Sequence, residues 1–347
     1  MARRQANPSF GEFDLIRTLE RRFARRVPGL VRGIGDDAAV IAASARTWWH
    51  LTTDLLAEGI HFDLTTASFE SVGYRAAMAN LSDIAAMGAV PRYVLTSIAI
   101  PRIVKQSHIH ELYAGLMKAC RMHGVALIGG DTSASNAGLF LSLTLVGTTT
   151  GRRTLFRHGA KVGDHIFVSG TLGDSLAGLK LLMSRSTSRT SRKNQPGLSR
   201  AHRQFLLRRH SHPTARVAEG QWLTARRLAS AAIDLSDGLS GDLRHLCQES
   251  RVGAEVALEQ LPISSACRAY ARTTNASPIQ LALAGGEDYE LLFTASPRHC
   301  ETIAREARTR GYRITCIGTI RPQQFGIQMT SDGRTEPMRV ISYEHFR

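Results

Sequence analysis

No run of the form GxxxxGK[ST] occurs in the 347 residues, so this chain does not cradle phosphate on a P-loop. The lysine and catalytic-loop signatures of the protein kinases are missing as well. Lysine itself is scarce: five of the 44 basic residues, at 105, 118, 161, 180 and 193, the rest being arginine. The five cysteines, Cys120, Cys247, Cys267, Cys300 and Cys316, are far apart and form no CxxC pair. That argues against a disulfide framework or a thiolate zinc site and leaves core or surface thiols. No apolar run is long enough to cross a bilayer, and Met1 to Gln5 leads into no signal-peptide core. The expectation is a cytoplasmic protein without a membrane partner.

What is present is an ordinary globular composition, 43% hydrophobic, at a length that suits two domains. The division expected is 1–150 and 151–347. The formal net charge is +15, but its distribution says more than its sum. The windows 33–41, 51–63, 79–90, 125–150, 229–243 and 281–295 all contain carboxylates and not one lysine or arginine. Surface ion-pair decoration mixes signs. Unpaired acids gathered by a fold call for cations.

The pattern reads as α/β throughout. Residues 11–26 form an amphipathic helix with Phe13, Ile16, Leu19 and Phe23 on one face. A strand at 48–55 ends at Asp54. A helix at 68–87 is capped by Ser68, closed by Gly88 and rich in small residues, so another element packs close against it. Strands at 93–100, 125–128 and 139–147 and a helix at 107–123 complete the first half. In the second half, strands are expected at 166–169, 233–235, 254–258, 291–294, 314–320 and 327–329. Helices are expected at 174–184, 202–223, 242–249 and 297–310. Residues 184–200, rich in Ser and Arg, read as a basic surface insertion. A nucleic-acid-binding protein is the alternative that the charge suggests, and 6% aromatic content with none in 184–200 argues against it.

The acids fall in recurrent settings. Gly33-Ile-Gly-Asp-Asp37 is a bend with two carboxylates. Thr52-Thr-Asp54, Asn80-Leu-Ser-Asp83, Gly129-Gly-Asp131 and Asp234-Leu-Ser-Asp237 follow. Asp36, Asp37, Thr53, Asp54, Asp83, Asp131, Asp234 and Asp237 are hard oxygen donors suited to Mg²⁺. Several such ions could neutralise a triphosphate without lysine. Each motif alone is also a common turn or cap. The Gly170-Thr-Leu-Gly-Asp-Ser175 joint is more often packing than a phosphate site.

Taken in order, these motifs resemble the thiamine-monophosphate kinase family. The resemblance extends to Gly11-Glu-Phe13, Gly59-Ile-His-Phe62, Ile233-Asp-Leu-Ser-Asp-Gly-Leu239, Gly285-Gly-Glu-Asp-Tyr-Glu-Leu291 and Tyr343-Glu-His-Phe346. Asn-Leu-Ser-Asp and Gly-Asp-Asp are shared with the wider superfamily of aminoimidazole-ribonucleotide synthetase-like ATP-using enzymes, and another member of it is the alternative reading. The resemblance implies that ATP and thiamine monophosphate give thiamine diphosphate and ADP, with several Mg²⁺ ions. It implies an N-terminal α/β domain that forms a dimer-spanning β-barrel, a C-terminal α/β sandwich and a homodimer. Carried over by motif, Asp37, Thr53, Asp54, Asp83, Asp131, Asp234 and Asp237 would hold metal, assisted by Thr52. Tyr113, Gly130, Asp131, Arg157 and Ser236 would meet ATP, and Asp54, Asp131 and Arg157 would be catalytic. His61 and Glu287 would face the thiamine. Where the family places an aromatic against the substrate this chain has Val340, which leaves Tyr343 as the nearest ring. Asp36 is left to brace the turn or to bind through water.

Overall fold

The computed structural model describes residues 11–343 except 152 and 187–196. Most of the basic insertion at 184–200, and Glu344 to Phe346 of the closing motif, thus lie outside the described residues. The chain forms two mixed sheets with helices, a two-domain α/β fold. First come α1 (Glu12–Phe23), β1 (Leu30–Arg32), β2 (Ala39–Ala42), β3 (Thr47–Ala57), α2 (Phe69–Ala86), β4 (Val90–Pro101), α3 (Gln106–Met122), β5 (Ala126–Ser135) and β6 (Phe140–Thr150). Their strands make one sheet in the order β1-β2-β3-β6-β4-β5, antiparallel except for the β4–β5 pair. Among the described residues this sheet is not closed into a barrel, and β5 is an exposed edge.

The second half holds β7 (His165–Ser169), α4 (Asp174–Ser186), α5 (Arg200–Ser211), α6 (Val217–Arg226), β8 (Ala231–Asp234), α7 (Leu239–Ser250), β9 (Gly253–Ala257), α8 (Ser265–Thr274) and α9 (Pro278–Ala284). It ends with β10 (Leu291–Ala295), α10 (Pro297–Arg310), β11 (Ile314–Arg321), β12 (Ile327–Ser331) and β13 (Arg334–Pro337). The second sheet runs β13-β12-β9-β11-β7-β10-β8, with β12–β9 its parallel pair. No helix among the described residues is long and apolar enough to cross a membrane. All five cysteines are free thiols.

Four expectations are corrected. Asp54 lies inside β3, which continues to Ala57. The strand expected to end at Ile128 does not end there: β5 carries on through Gly129-Gly130-Asp131 to Ser135, held in register by β4. The single helix expected over 202–223 is two, because Pro213 has no amide hydrogen to continue α5. Residues 265–284 hold α8 and α9, capped by Ser264 and Ser277, where no element was expected.

α2 sits at the centre. Ser68 caps it as expected, accepting from the Ser71 amide at 3.2 Å. It is buried on nearly every side, so its apolar residues show little one-sided periodicity. One face approaches α3 so closely that a Cβ at Gly73 would fall 1.9 Å from the Leu112 carbonyl oxygen. A Cβ at Gly115 of α3 would fall 1.9 Å from that of Glu70. Another face meets α6, where a Cβ at Gly220 would fall 1.9 Å from the Ala85 carbonyl oxygen. The same hydrophobic cluster takes in Val72, Met78 and Leu81 of α2, Leu141 and Leu143 of β6, Trp222 of α6 and Phe293 of β10. Both halves of the chain therefore pack on one helix.

Two predictions follow from this packing. Gly115→Ala forces the α2–α3 pair apart, so urea denaturation should show a loss of about 1–3 kcal/mol; an unchanged midpoint would refute the close approach. His245, buried on α7 and packed at a tilt against Phe13 of α1 with ring centroids 3.9 Å apart, is driven down to about 3 by burial and by Arg157 and Arg244. It stays neutral in the fold, whereas the unfolded chain takes a proton near pH 6.5. Its contribution is full above that pH and is lost as the pH falls toward 3. Between pH 6 and 4.5 the stability of His245→Gln should therefore depend on pH less steeply than wild type, by about 1.4 kcal/mol per pH unit.

Candidate functional site

Asp37, Asp83 and Asp234 bring carboxylate oxygens within 4.8 Å of one another. They come from three separate points: the bend between β1 and β2, the interior of α2, and the end of β8. Few donors answer them. Arg157 gives both Nε (3.0 Å) and Nη2 (2.6 Å) to Asp37 Oδ1. The Thr52 hydroxyl donates to Asp83. Asp37 Oδ2 and Asp234 Oδ2 are buried with no hydrogen-bond partner, an arrangement that is costly unless a cation or a proton supplies what is missing.

The electrostatics say the same. Burial, then the charges of Asp54, Asp234 and Asp37, hold the Asp83 carboxyl well above the usual range. Burial and the Asp37 charge push Asp234 to about 8, and burial alone pushes Asp54 to about 6. Asp37 is raised by burial against the pull of Arg157. Asp36 is raised too, to about 7, by burial and the Asp37 charge, and its Oδ2 makes no hydrogen bond. The residue accepts the amide hydrogens of Asp37 and Arg157 at 3.2 Å each and pairs with Arg32 at 3.2 Å, so it braces the bend that presents Asp37.

A cavity of about 1040 Å³ opens from this cluster. Its walls take in Asp54, Asp83, Asp234, Ser236 and Asp237, and also Arg75, His61, Glu287 and Tyr343. Val340 does not line it, and Tyr343 does. The expected nucleotide and substrate residues thus share one space, in part. Tyr113 lies half-buried on α3, packed against the core. Thr53 points its hydroxyl to the opposite face of β3 from Thr52, where it donates to the Leu143 carbonyl at 3.0 Å and meets the Thr144 hydroxyl at 3.1 Å. Gly130 and Asp131 lie on β5. Asp131 pairs with Ser97, which pairs with Ser142, which pairs with Leu55. Three strand spacings, about 14 Å, therefore separate it from β3. One copy of the chain does not bring Asp131 to Asp54.

The Gly285–Glu290 bend sorts its acids by backbone. Glu287 and Tyr289 hold φ of +59° and +50°, a left-handed conformation that side chains other than glycine rarely take. Glu287 turns to the cavity, but its charge is not open there: it is ion-paired with Arg75, and His210 lies 3.5 Å away. Asp288 instead accepts the amides of Gly173 (2.5 Å) and Ser175 (3.0 Å). It occupies the N-terminus of α4, so the Gly170–Ser175 joint is closed from within. Glu290 is held by Arg209, Arg216 and Ser169. Sequence reasoning missed Arg75 and Asp242. The latter caps the amides of Asp237 and Gly238 at 3.2 and 3.0 Å.

The comparisons agree with the order of the motifs. Residues 35–149 match the AIR synthase related protein, N-terminal domain, and residues 161–329 its C-terminal domain. Thiamine-monophosphate kinase of Haemophilus influenzae is 36% identical, covering 98% of this chain and 99% of its own length. That of Escherichia coli K12 is 34% identical, covering 97% of this chain and 98% of its own length. A solved structure of AaThiL complexed with AMPPCP and TMP superposes with a TM-score of 0.83 at 34% identity, covering 99% of this chain and all of that one. Buried acids without partners, a cavity that joins them to His61 and Glu287, and near-full-length likeness lead to one assignment: the chain belongs to the AIR synthase related family and, within it, to the thiamine-monophosphate kinases.

Proposed function

We propose that this chain transfers the terminal phosphoryl group of ATP to thiamine monophosphate, giving thiamine diphosphate and ADP. The observation that carries this reading is the single cavity that joins the under-partnered carboxylates to His61 and Glu287. The donor set fits Mg²⁺: all-oxygen, anionic, and with buried lone pairs left unsatisfied. Asp37, Asp54, Asp83 and Asp234 would hold it, with Asp237 at the cavity wall. Bound there, magnesium would supply charge neutralisation for the phosphates.

The protein's own tasks are positioning and charge. The attacking oxygen belongs to a phosphate monoester that is anionic near neutral pH, so no strong general base is required. The obstacle is repulsion between two anions, and Arg157, fixed by Asp37 beside the cluster, supplies a permanent positive charge there. Ser236 lines the cavity where ATP would lie, and Glu287 and His61 flank the place for the cationic thiazolium and the pyrimidine. Tyr343 offers the ring that Val340 does not.

The residues left apart, Tyr113, Thr53, Gly130 and Asp131, favour a homodimer, with residues 1–150 as the nucleotide-binding and dimerisation half and 151–347 as the second domain. Thr53 and Asp131 sit on the outer side of the first sheet, which also exposes Trp49, Leu55, Tyr93 and Leu95. An open apolar sheet face of that kind calls for a partner. A second copy against it, closing a barrel across the two-fold axis, would carry Asp131 toward the other copy's Asp54.

Incubation with ATP, Mg²⁺ and thiamine monophosphate should yield thiamine diphosphate, and a folded protein that yields none would sink the reading. Asp83→Asn removes one of the repelling acids. It should raise the thermal midpoint of the metal-free protein while abolishing the further rise that Mg²⁺ gives wild type; a retained Mg²⁺ shift would refute the metal assignment. Asp54→Asn and Asp131→Asn should each be inactive. Co-refolding the two in equal amounts should restore about one quarter of wild-type activity, since half the dimers would own one intact site. No recovery would mean that each copy uses its own Asp131.

A further inference from the structure

We infer that Arg75 is a positioning residue for the thiamine end of the site, an inference that rests on the function proposed above. Arg75 projects from the middle of α2, is 4% exposed, and lines the cavity. Its Nη2 pairs with the Glu287 carboxylate and also donates to the His61 carbonyl oxygen at 3.2 Å. One guanidinium therefore ties together the two bends that carry the substrate-facing groups. One bend follows β3 in the first domain. The other precedes β10 in the second.

Each bend needs such a tie. The Glu287 backbone is left-handed, and its amide donates to the Ser236 carbonyl at 2.8 Å. A strained conformation persists only where its surroundings hold it. The His61 ring accepts the Ala57 amide hydrogen through Nδ1 at 3.0 Å, which fixes the ring to the end of β3 while Arg75 fixes the carbonyl of the same residue. The pair also sets charge. The Arg75 charge does most to hold Glu287 below its ordinary range against burial, so the carboxylate is ionised yet already balanced. The site thus presents an oriented anion to a cationic ring without leaving a bare buried charge when the site is empty. Both bonds leave one nitrogen, Nη2, whose direction the planar guanidinium fixes; the rotating ammonium of a lysine carries no such orientation.

The test compares full-length wild type, Arg75→Met, Arg75→Lys, Glu287→Gln and the double variant Arg75→Met/Glu287→Gln in steady-state kinetics. Arg75→Met should raise KM for thiamine monophosphate about tenfold, with KM for ATP and kcat within about twofold. Arg75→Lys should fall between it and wild type. The double variant should lose less than the product of the two single losses, since Arg75 acts in part through Glu287. If Arg75→Met does not fold for want of a partner for Glu287, the lysine and double variants still decide, because neither leaves that carboxylate alone. An unmoved KM for thiamine monophosphate in a folded variant, equal losses in both KM values and kcat, or additive effects with Glu287→Gln would each overturn the inference while wild-type turnover leaves the kinase reading standing. A wild type that does not phosphorylate thiamine monophosphate would remove both.

Discussion

Carboxylates forced together with too few donors set the terms for this fold. At 4.8 Å and an effective dielectric constant of about 20, two unit negative charges repel by about 3 kcal/mol. Three such pairs approach the whole net stability of an ordinary domain. The metal-free protein relieves this by keeping protons, as the upward shifts of Asp83, Asp234 and Asp54 record. Cations relieve it in another way. The cluster is therefore held in place by packing elsewhere, and its own electrostatics work against it.

That packing is α2. Its small residues let α3 and α6 approach to backbone contact, and the same helix carries Asp83 toward Asp37 and Asp234 and Arg75 toward Glu287. Two turns separate Arg75 from Asp83, which spaces them about 12 Å along the axis. The helix thus fixes the separation between Asp83 and Arg75, both of which line the cavity. Such a separation cannot drift when both flanking helices touch the α2 backbone, because interiors close-packed at that distance do not slide.

Much of this was legible in the sequence. Acids recur in windows stripped of lysine and arginine, and that pattern found Asp37, Asp83 and Asp234 before any contact was known. Ser68 announced the start of α2, and its run of small residues announced close neighbours. Other features were beyond local reading. The glycines at 129 and 130 look like the end of a strand, yet a Cβ at Gly130 would lie 1.9 Å from the Thr96 carbonyl oxygen; Gly130 is glycine because β5 presses on β4, a long-range fact. α8 and α9 are short and interrupted by Asn275, so neither offers enough turns for a period to show. Arg75 looked like one polar interruption of a helix, since its partners lie 14 residues upstream and 212 downstream.

The adjacent acids at 287, 288 and 290 show why composition alone does not separate a functional carboxylate from a structural one. Asp288 and Glu290 are buried by the bend, and Glu287 is half-buried at the cavity. Glu290 receives Arg209, Arg216 and Ser169, and is held below its ordinary range despite burial. Asp288 receives two amides at the start of α4, yet burial still raises it to about 7. Asp234, at the cavity, keeps a buried oxygen with no donor at all. The discriminating quantity is the count of donors that the protein itself supplies. A structural acid is given its partners by the fold, and the donors withheld from Asp37 and Asp234 leave lone pairs for a ligand that arrives from outside. On that measure Asp37 is intermediate by construction: Arg157 satisfies Oδ1 and fixes the carboxylate plane, while Oδ2 is left open. A carboxylate fixed on one oxygen and open on the other has lost most of its rotational freedom before binding, so little ordering remains to oppose capture of a cation.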